Sequence, residues 1–151
     1  MNITITRNLQ RPGTIDGQIS IYGRHICDCE ENAATALPPG TYPVTLVNCH
    51  QYARKMPVVR VSSLPPCSSC PRRPFVGSNT RLPLVCPMLK PGNGVCQRTD
   101  GSIIVGWRAV PGCLVRPRAA FAALYGRIRK TLERGKPVCL HISSNPFSPQ
   151  S

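Results

Sequence analysis

Two residues in the second half of the chain, Ser102 and Lys90, have side chains that could act together as a nucleophile and its base. A serine hydroxyl is a weak nucleophile until a neighbouring base takes its proton, and lysine fills that role in Ser–Lys pairs. Lysine acts as a base near pH 7 only when it is desolvated, because an exposed lysine stays protonated. With Lys90 exposed, the pair is expected to be catalytically silent.

The segment around these residues carries a recognisable motif. It reads Lys90-Pro91-Gly92-Asn93, followed after a loop by Gly101-Ser102-Ile103. This resembles a family of uncharacterised bacterial and phage domains that has only a domain-of-unknown-function label, in which the pattern is His-Pro-Gly-Asn, a short loop and Gly-Cys-Ile. Lys90 stands in place of the histidine and Ser102 in place of the cysteine, whereas Asn93 is retained. Since a Cys/His pair can be a nucleophile and its base, the resemblance implies a site whose chemistry has changed.

The resemblance extends at low density over most of the chain, from residues 3–7 to residues 138–142. Its most specific pieces are residues 39–42 and 101–106, and residues 62–81 have no counterpart. The function that we expect is a non-catalytic binding or structural module of bacterial, phage or mobile-element origin. The alternative is a degenerate or active Cys/His-type cell-wall enzyme, because Gly101-Ser102-Ile103 is similar to the Gly-Cys-Ile core of bacterial L,D-transpeptidases. That similarity is an analogy between short motifs.

A second group of residues has the spacing of metal ligands. Cys67 and Cys70 form a C-x-x-C pair, and Cys86 and Cys96 follow further along the chain. Four thiolates would hold one zinc ion tetrahedrally and would rigidify residues 62–81, a stretch that lacks strand or helix patterning and predicts a loop insertion. A disulfide or redox pair and free thiols are the open alternatives. Zinc is the one cofactor that the sequence suggests.

The charge of the chain favours an anionic partner. There are 19 lysine and arginine residues against 6 aspartate and glutamate residues, a formal net charge of +13. Nucleic acid, anionic lipid or a cell-wall polymer would each suit such a surface, although basic charge also serves solubility alone. The chain has 9 cysteines and no secretory signal at Met1, which predicts reduced thiols in a bacterial cytoplasm. No apolar run is long enough to predict a membrane span.

The elements that would position these residues are mostly strands. Alternating, β-branched segments bounded by turn residues predict strands at residues 3–6, 18–22, 42–47, 58–61, 82–86, 103–105 and 138–142. Their spacing predicts an α+β fold: a mostly antiparallel β barrel or sandwich with one long C-terminal helix. We expect a single β-rich domain over residues 1–142 and a flexible tail over residues 143–151.

The helix is predicted from Pro117 to Arg134, since proline suits a first helical turn and Gly135 is a natural stop. One face is apolar and consists of Phe121, Leu124, Tyr125, Ile128 and Leu132. Arg127, Lys130 and Arg134 fall on the opposite side, and we call these three residues the basic stripe. The stripe is a candidate anion-binding surface. The alternative is a solvated face whose late basic residues complement the helix dipole.

Overall fold

The computed structural model describes residues 1–49, 52–61, 87–94 and 101–143. Within them the chain forms nine strands and one helix: β1 (Asn2–Arg11), β2 (Thr14–Ile21), β3 (Arg24–Asn32), β4 (Gly40–Cys49), β5 (Arg54–Val59), β6 (Leu89–Pro91), β7 (Ile103–Val110), β8 (Cys113–Val115), α1 (Pro117–Glu133) and β9 (Cys139–Ile142). The predicted α+β fold with one C-terminal helix is confirmed. The predicted strand at 82–86, the predicted insertion at 62–81 and all of the predicted tail except residue 143 lie outside the described residues.

The strands form one sheet that is nearly closed. Their order is β5-β4-β9-β1-β2-β3-β7-β6, with β8 paired to β7. The β1–β9 and β6–β7 pairs are parallel and the other described pairs are antiparallel. At the two ends of this order, Val58 forms a bridge to Met88, and the N–H of Val59 donates to the carbonyl of Pro87 at 2.9 Å. The resulting sheet is barrel-like, and such closure removes exposed strand edges.

The core lies between the inner face of the sheet and α1. Ile3 and Ile5 in β1 are fully buried and alternate with more exposed residues, as the period of a strand requires. From the helix, Leu124 and Ile128 enter the same apolar cluster. The helix ends where the sequence predicts, because Gly135 takes a φ of +75° and its N–H donates to the carbonyl of Leu132 at 2.9 Å.

The strand predicted at 58–61 is only partly correct, because β5 shares residues 58 and 59 with it and begins earlier. Three further strands have no counterpart among the predicted strands. The strand patterning does not predict β3, because acidic residues occupy positions that a buried strand would fill with apolar ones. Both β6 and β8 are three residues long, too short to show a period. Pro91 ends β6, so the segment Pro91-Gly92-Asn93-Gly94 is a strand end joined to a bend rather than an isolated turn. All three of these strands adjoin β7, which makes β7 the element that organises the motif.

Candidate functional site

The two motif residues with candidate chemistry are both buried. Lys90 lies in β6 as the register partner of Ile104, and Ser102 immediately precedes β7. Their exposures are 3% for Lys90 and 2% for Ser102. The Oγ of Ser102 accepts a hydrogen bond from the backbone N–H of Met88 at 3.2 Å. The hydroxyl therefore helps to join the two parallel strands.

The burial of Lys90 and Ser102 bears on whether these two side chains can catalyse a reaction. The condition of an exposed Lys90 is not met, because its side chain is buried where β6 pairs with β7. The burial of the Ser102 hydroxyl opposes a role as nucleophile, since a nucleophile must reach its substrate. A hydroxyl that is withdrawn from solvent and accepts a backbone hydrogen bond is poorly placed to do so.

We expect a serine-reactive acylating probe to leave Ser102 unmodified in the folded protein, because its hydroxyl is buried. Intact-mass spectrometry followed by peptide mapping measures the outcome. Ser102→Cys offers a second readout, since the new thiol should react with a thiol reagent far more slowly than the exposed thiol of Cys113. This variant should gain no activity, because the histidine of the related motif is still missing.

Stoichiometric acylation at Ser102 that disappears in Lys90→Ala would contradict the expectation. It would show that the two side chains act as a nucleophile and its base.

The remaining motif residues pack β6, β7 and β8 against one another. The Nδ2 of Asn93 donates to the carbonyl of Leu114 at 2.8 Å, and the N–H of Leu114 donates back to the carbonyl of Asn93 at 3.0 Å. A Cβ atom on Gly92 would lie 2.8 Å from the Cγ2 of Ile104. A Cβ atom on Gly106 would lie 2.8 Å from the Cβ of Leu114. In this chain the motif residues therefore have a structural role, because they allow neighbouring strands to pack closely.

A network of buried charges, which the sequence does not reveal, lies beside the motif. Arg108 is at its centre: its Nη1 is 3.3 Å from the Oδ1 of Asp16 and 3.3 Å from the Oε2 of Glu30. The Nη2 of Arg108 donates to two backbone carbonyls, and Arg11 donates to Asp16 at 2.9 Å. The network takes acidic side chains of β2 and β3 out of water. Four of the six acidic residues are buried, and three of them contact Arg108: Asp16, Asp28 and Glu30. The fourth is Glu31.

Glu30 is a buried carboxylate of this network with one oxygen that accepts no hydrogen bond within the described residues. Its burial raises the pKa of its carboxyl group, the nearby Asp16 raises that pKa further, and Arg108 and Arg11 oppose the rise. Its Oε1 has no hydrogen-bond partner among the described residues. Because a buried acceptor without a partner is costly, Glu30 favours its protonated form more than an exposed glutamate does.

A second buried ion pair lies on the inner face of the sheet. The Nε and Nη2 of Arg7 donate to the two carboxylate oxygens of Glu31 at 3.0 and 2.7 Å. The Nη2 of Arg7 also donates to the carbonyl of Leu37 at 2.6 Å. The two side chains are 9% and 2% exposed, so this bidentate pair is almost fully withdrawn from solvent. Its geometry marks a structural pair rather than a binding site.

The described cysteines are free thiols: Cys27, Cys29, Cys49, Cys113 and Cys139. Burial raises the pKa of Cys27 to about 12 and also raises that of Cys29, so both remain protonated and unreactive. The predicted zinc ligands Cys67, Cys70, Cys86 and Cys96 lie outside the described residues. Among the residues that are described, no group of three or more His, Cys, Asp or Glu side chains could hold a metal ion.

The basic stripe is exposed along its whole length. The Nη1 of Arg127 donates to the carbonyl of Ala123 one turn earlier at 3.0 Å, and Lys130 lies in the last turn, where a positive charge complements the helix dipole. Arg127 also lines a small cleft together with Tyr22 and Arg24. Tyr22 is 82% exposed on the turn between β2 and β3. The stripe therefore adjoins one exposed aromatic side chain.

A larger groove, of about 890 Å³, lies along another edge of α1. Met56 and Phe121 are its buried members, whereas Arg54, Arg118 and Arg129 are exposed. Of the motif residues, only Pro91 lines it. We call it the aromatic groove, and its polar and aromatic lining residues are Tyr52, Arg54, Arg118, Phe121, Tyr125 and Arg129.

The aromatic groove is built from two distant segments. The Cζ of Arg54, in β5, lies 4.3 Å from the centroid of the Tyr125 ring and 5.7 Å from that of Phe121. The two rings are 5.4 Å apart with an interplanar angle of 34°. The hydroxyl of Tyr125 donates to the carbonyl of Lys55 at 3.0 Å, which fixes the orientation of the ring. The groove thus presents an aromatic surface that already holds a cation.

Sequence reasoning missed the aromatic groove for an identifiable reason. Arg118, Tyr125 and Arg129 are spaced so that they share one edge of a helix, and this spacing is visible in the sequence. However, Tyr125 also fits the apolar face, and nothing local links Arg54 to it. The predicted basic stripe and the observed groove therefore lie on different edges of the same helix.

No protein-family model matches the chain, and no curated protein or solved structure matches it. In the described part of the chain, no helix has the length and apolar character needed to span a membrane. The fold and site define an α+β barrel-like protein with buried acids, an exposed basic helix and an arginine-rich aromatic groove. Because one fold hosts many functions, the function must be argued from these features of the site.

Proposed function

We propose that this chain is a non-catalytic module that binds an anionic polymer through the basic residues on and around α1. The observation that carries the proposal is the separation of charge. Four of the six acidic residues are buried within β2 and β3. In contrast, many basic residues of the described ranges are exposed: Arg24, Arg54, Lys55, Arg116, Arg118, Arg127, Arg129, Lys130, Arg134 and Lys136.

The exposed surface of the described residues therefore has almost one sign of charge. Among the described residues, Glu133 is the one exposed acidic side chain, and its Oε2 lies 3.3 Å from the Nη1 of Arg129. Such a surface attracts a polyanion from a distance and gains affinity by releasing the counterions of the polymer. Because most acidic side chains are buried, little negative charge remains at the surface to repel a polyanion.

The candidate polymers are nucleic acid and an anionic cell-wall component. The free thiols of the described cysteines support a reducing compartment, which we take to be the cytoplasm. That compartment favours nucleic acid over a wall polymer. The resemblance of the motif to bacterial and phage domains supports an origin in a bacterium, a phage or a mobile element.

A degenerate or active cell-wall enzyme is the second candidate function. The placement of a lysine in β6 and a serine just before its partner strand β7 favours it, because Ser–Lys pairs combine these two residue types. The burial of Ser102 opposes it more strongly, since the nucleophile would have to reach its substrate. The acylation experiment described above decides between the two functions.

The salt dependence of binding tests the proposed function. We expect the affinity for inorganic polyphosphate to fall steeply as salt rises, because each neutralised phosphate releases counterions. Changing Arg127, Lys130 and Arg134 together to Gln should make the slope of log affinity against log salt shallower with each phosphate contact that is lost. Fluorescence anisotropy at several salt concentrations, with labelled polyphosphate, gives the slope.

The matched variant changes Arg54, Arg118 and Arg129 to Gln, which removes the same three charges from the other edge of the helix. A smaller slope in either variant supports the proposal and shows which edge binds. Slopes and affinities that neither triple change alters, or no affinity for polyphosphate at low salt, would contradict it.

A further inference from the structure

The aromatic groove has a composition that charge alone does not explain. A surface built only for polyanion binding needs cations, whereas this groove places three arginines around two tyrosines and a phenylalanine. Resting on the proposed polyanion binding, we propose that the groove binds single-stranded nucleic acid with a base stacked on Tyr125. Single-strand binding proteins combine the same two features, a positive groove and aromatic side chains on which bases stack.

Tyr125 is already prepared as a stacking platform. Its hydroxyl is held by the carbonyl of Lys55, and its ring packs against Phe121 in a tilted arrangement, so the ring does not need to be ordered when a base arrives. One ring face carries the guanidinium of Arg54 at 4.3 Å, in the position that a flat, electron-poor group occupies. A base can take this position, because any base presents a π-face. Arg54 is exposed and long, so it can move to the adjacent phosphate.

The two helical arginines lie on either side of this platform. Arg118 and Arg129 are separated by about 16 Å along the helix axis, with Tyr125 between them. A stacked strand rises about 3.4 Å per nucleotide, so the distance matches a segment of about five nucleotides. Glu133 pairs with Arg129 at 3.3 Å, but both side chains are largely exposed, so this contact is weak and a phosphate can replace it.

Other polyanions would leave part of the groove unused. Polyphosphate and anionic wall polymers supply charge but no aromatic ring to stack on Tyr125. A nucleic-acid duplex keeps its bases stacked on each other, so only its phosphates would reach the arginines. A single strand is the polyanion that can occupy both the arginines and the tyrosines.

Binding of three ligands to three proteins tests this inference. The ligands are a labelled strand of twelve thymidines, a twelve-base-pair duplex and inorganic polyphosphate. The proteins are the wild type, Tyr125→Leu and Tyr125→Phe. We expect the wild type to prefer the single strand, and Tyr125→Leu to weaken that binding about 5- to 150-fold while it leaves polyphosphate binding unchanged. Tyr125→Phe keeps the ring and should bind nearly as the wild type does.

The outcomes separate this inference from the proposed function. Equal weakening of single strand and polyphosphate in Tyr125→Leu, or no weakening of either, would overturn base stacking while polyanion binding stands. No binding of any of the three ligands would overturn both. Circular dichroism and the melting temperature of each variant show whether the fold has survived.

A crosslinking experiment locates the strand without any substitution. A strand that contains 5-bromouracil is irradiated with the wild-type protein, and the modified peptide is identified by mass spectrometry. We expect the crosslink at Tyr125 or Tyr52. A crosslink at Tyr22 alone, on the side of the basic stripe, would overturn the assignment to the groove.

Discussion

Glu31→Ala is expected to lower the free energy of unfolding by about 3–5 kcal/mol, because it leaves the charge of Arg7 buried without its partner. Arg7 directs its Nε and Nη2 groups at the carboxylate of Glu31 and has little access to water that could replace it. Urea denaturation followed by circular dichroism measures the loss. It is one of the two largest effects of a single substitution that we predict for this fold.

The exposed pair of Arg129 and Glu133 supplies the control. These residues form an ion pair at 3.3 Å on the surface of α1, so Glu133→Ala should cost only about 0.3–0.5 kcal/mol. Replacing both buried partners, as in Arg7→Met with Glu31→Leu, should restore much of the stability that Glu31→Ala loses. A loss below about 1 kcal/mol for Glu31→Ala would show that water reaches Arg7, contrary to its burial.

Gly106→Ala is the second large effect, and we expect it to lower the free energy of unfolding by about 1–3 kcal/mol. The added Cβ would lie 2.8 Å from the Cβ of Leu114 and 3.3 Å from the carbonyl oxygen of Val115. These atoms belong to β8, which pairs with β7 and is also bonded through Leu114 to Asn93 after β6. The added methyl group therefore forces β8 to shift against these bonds. Thermal and urea denaturation measure the change.

Gly126→Ala is the matched control for this substitution. Gly126 lies within α1, and a Cβ there would meet nothing within 4 Å. The same chemical change should therefore raise stability by about 0.5–1 kcal/mol, because alanine favours the helix over glycine. If the two variants change stability in the same direction, the close packing of β8 on Gly106 is not what determines the cost.

The helix, several strands and the basic charge could be predicted from the sequence alone, because each depends on composition or on residues close together in the chain. The helix was predictable because Pro117 and Gly135 mark its two ends and its apolar residues recur at helical spacing. Strands β1, β2 and β4 were predictable because β-branched residues alternate within them. The excess of basic over acidic residues is a property of composition. It predicts an anionic partner without any knowledge of the fold.

Features that join distant segments needed the tertiary structure. The acidic residues of β3 are unsuited to a buried strand when the sequence is considered alone. In the folded chain, Arg108 of β7 and Arg7 of β1 neutralise Glu30 and Glu31. The burial of Lys90 and Ser102 depends on the parallel pairing of β6 with β7, which nothing in either strand encodes. The same is true of the aromatic groove, where Arg54 reaches Tyr125 from β5. Periodicity and end signals act over a few residues and therefore determine local conformation, whereas the loss of water around a charge depends on which strands meet, and only the folded chain decides that.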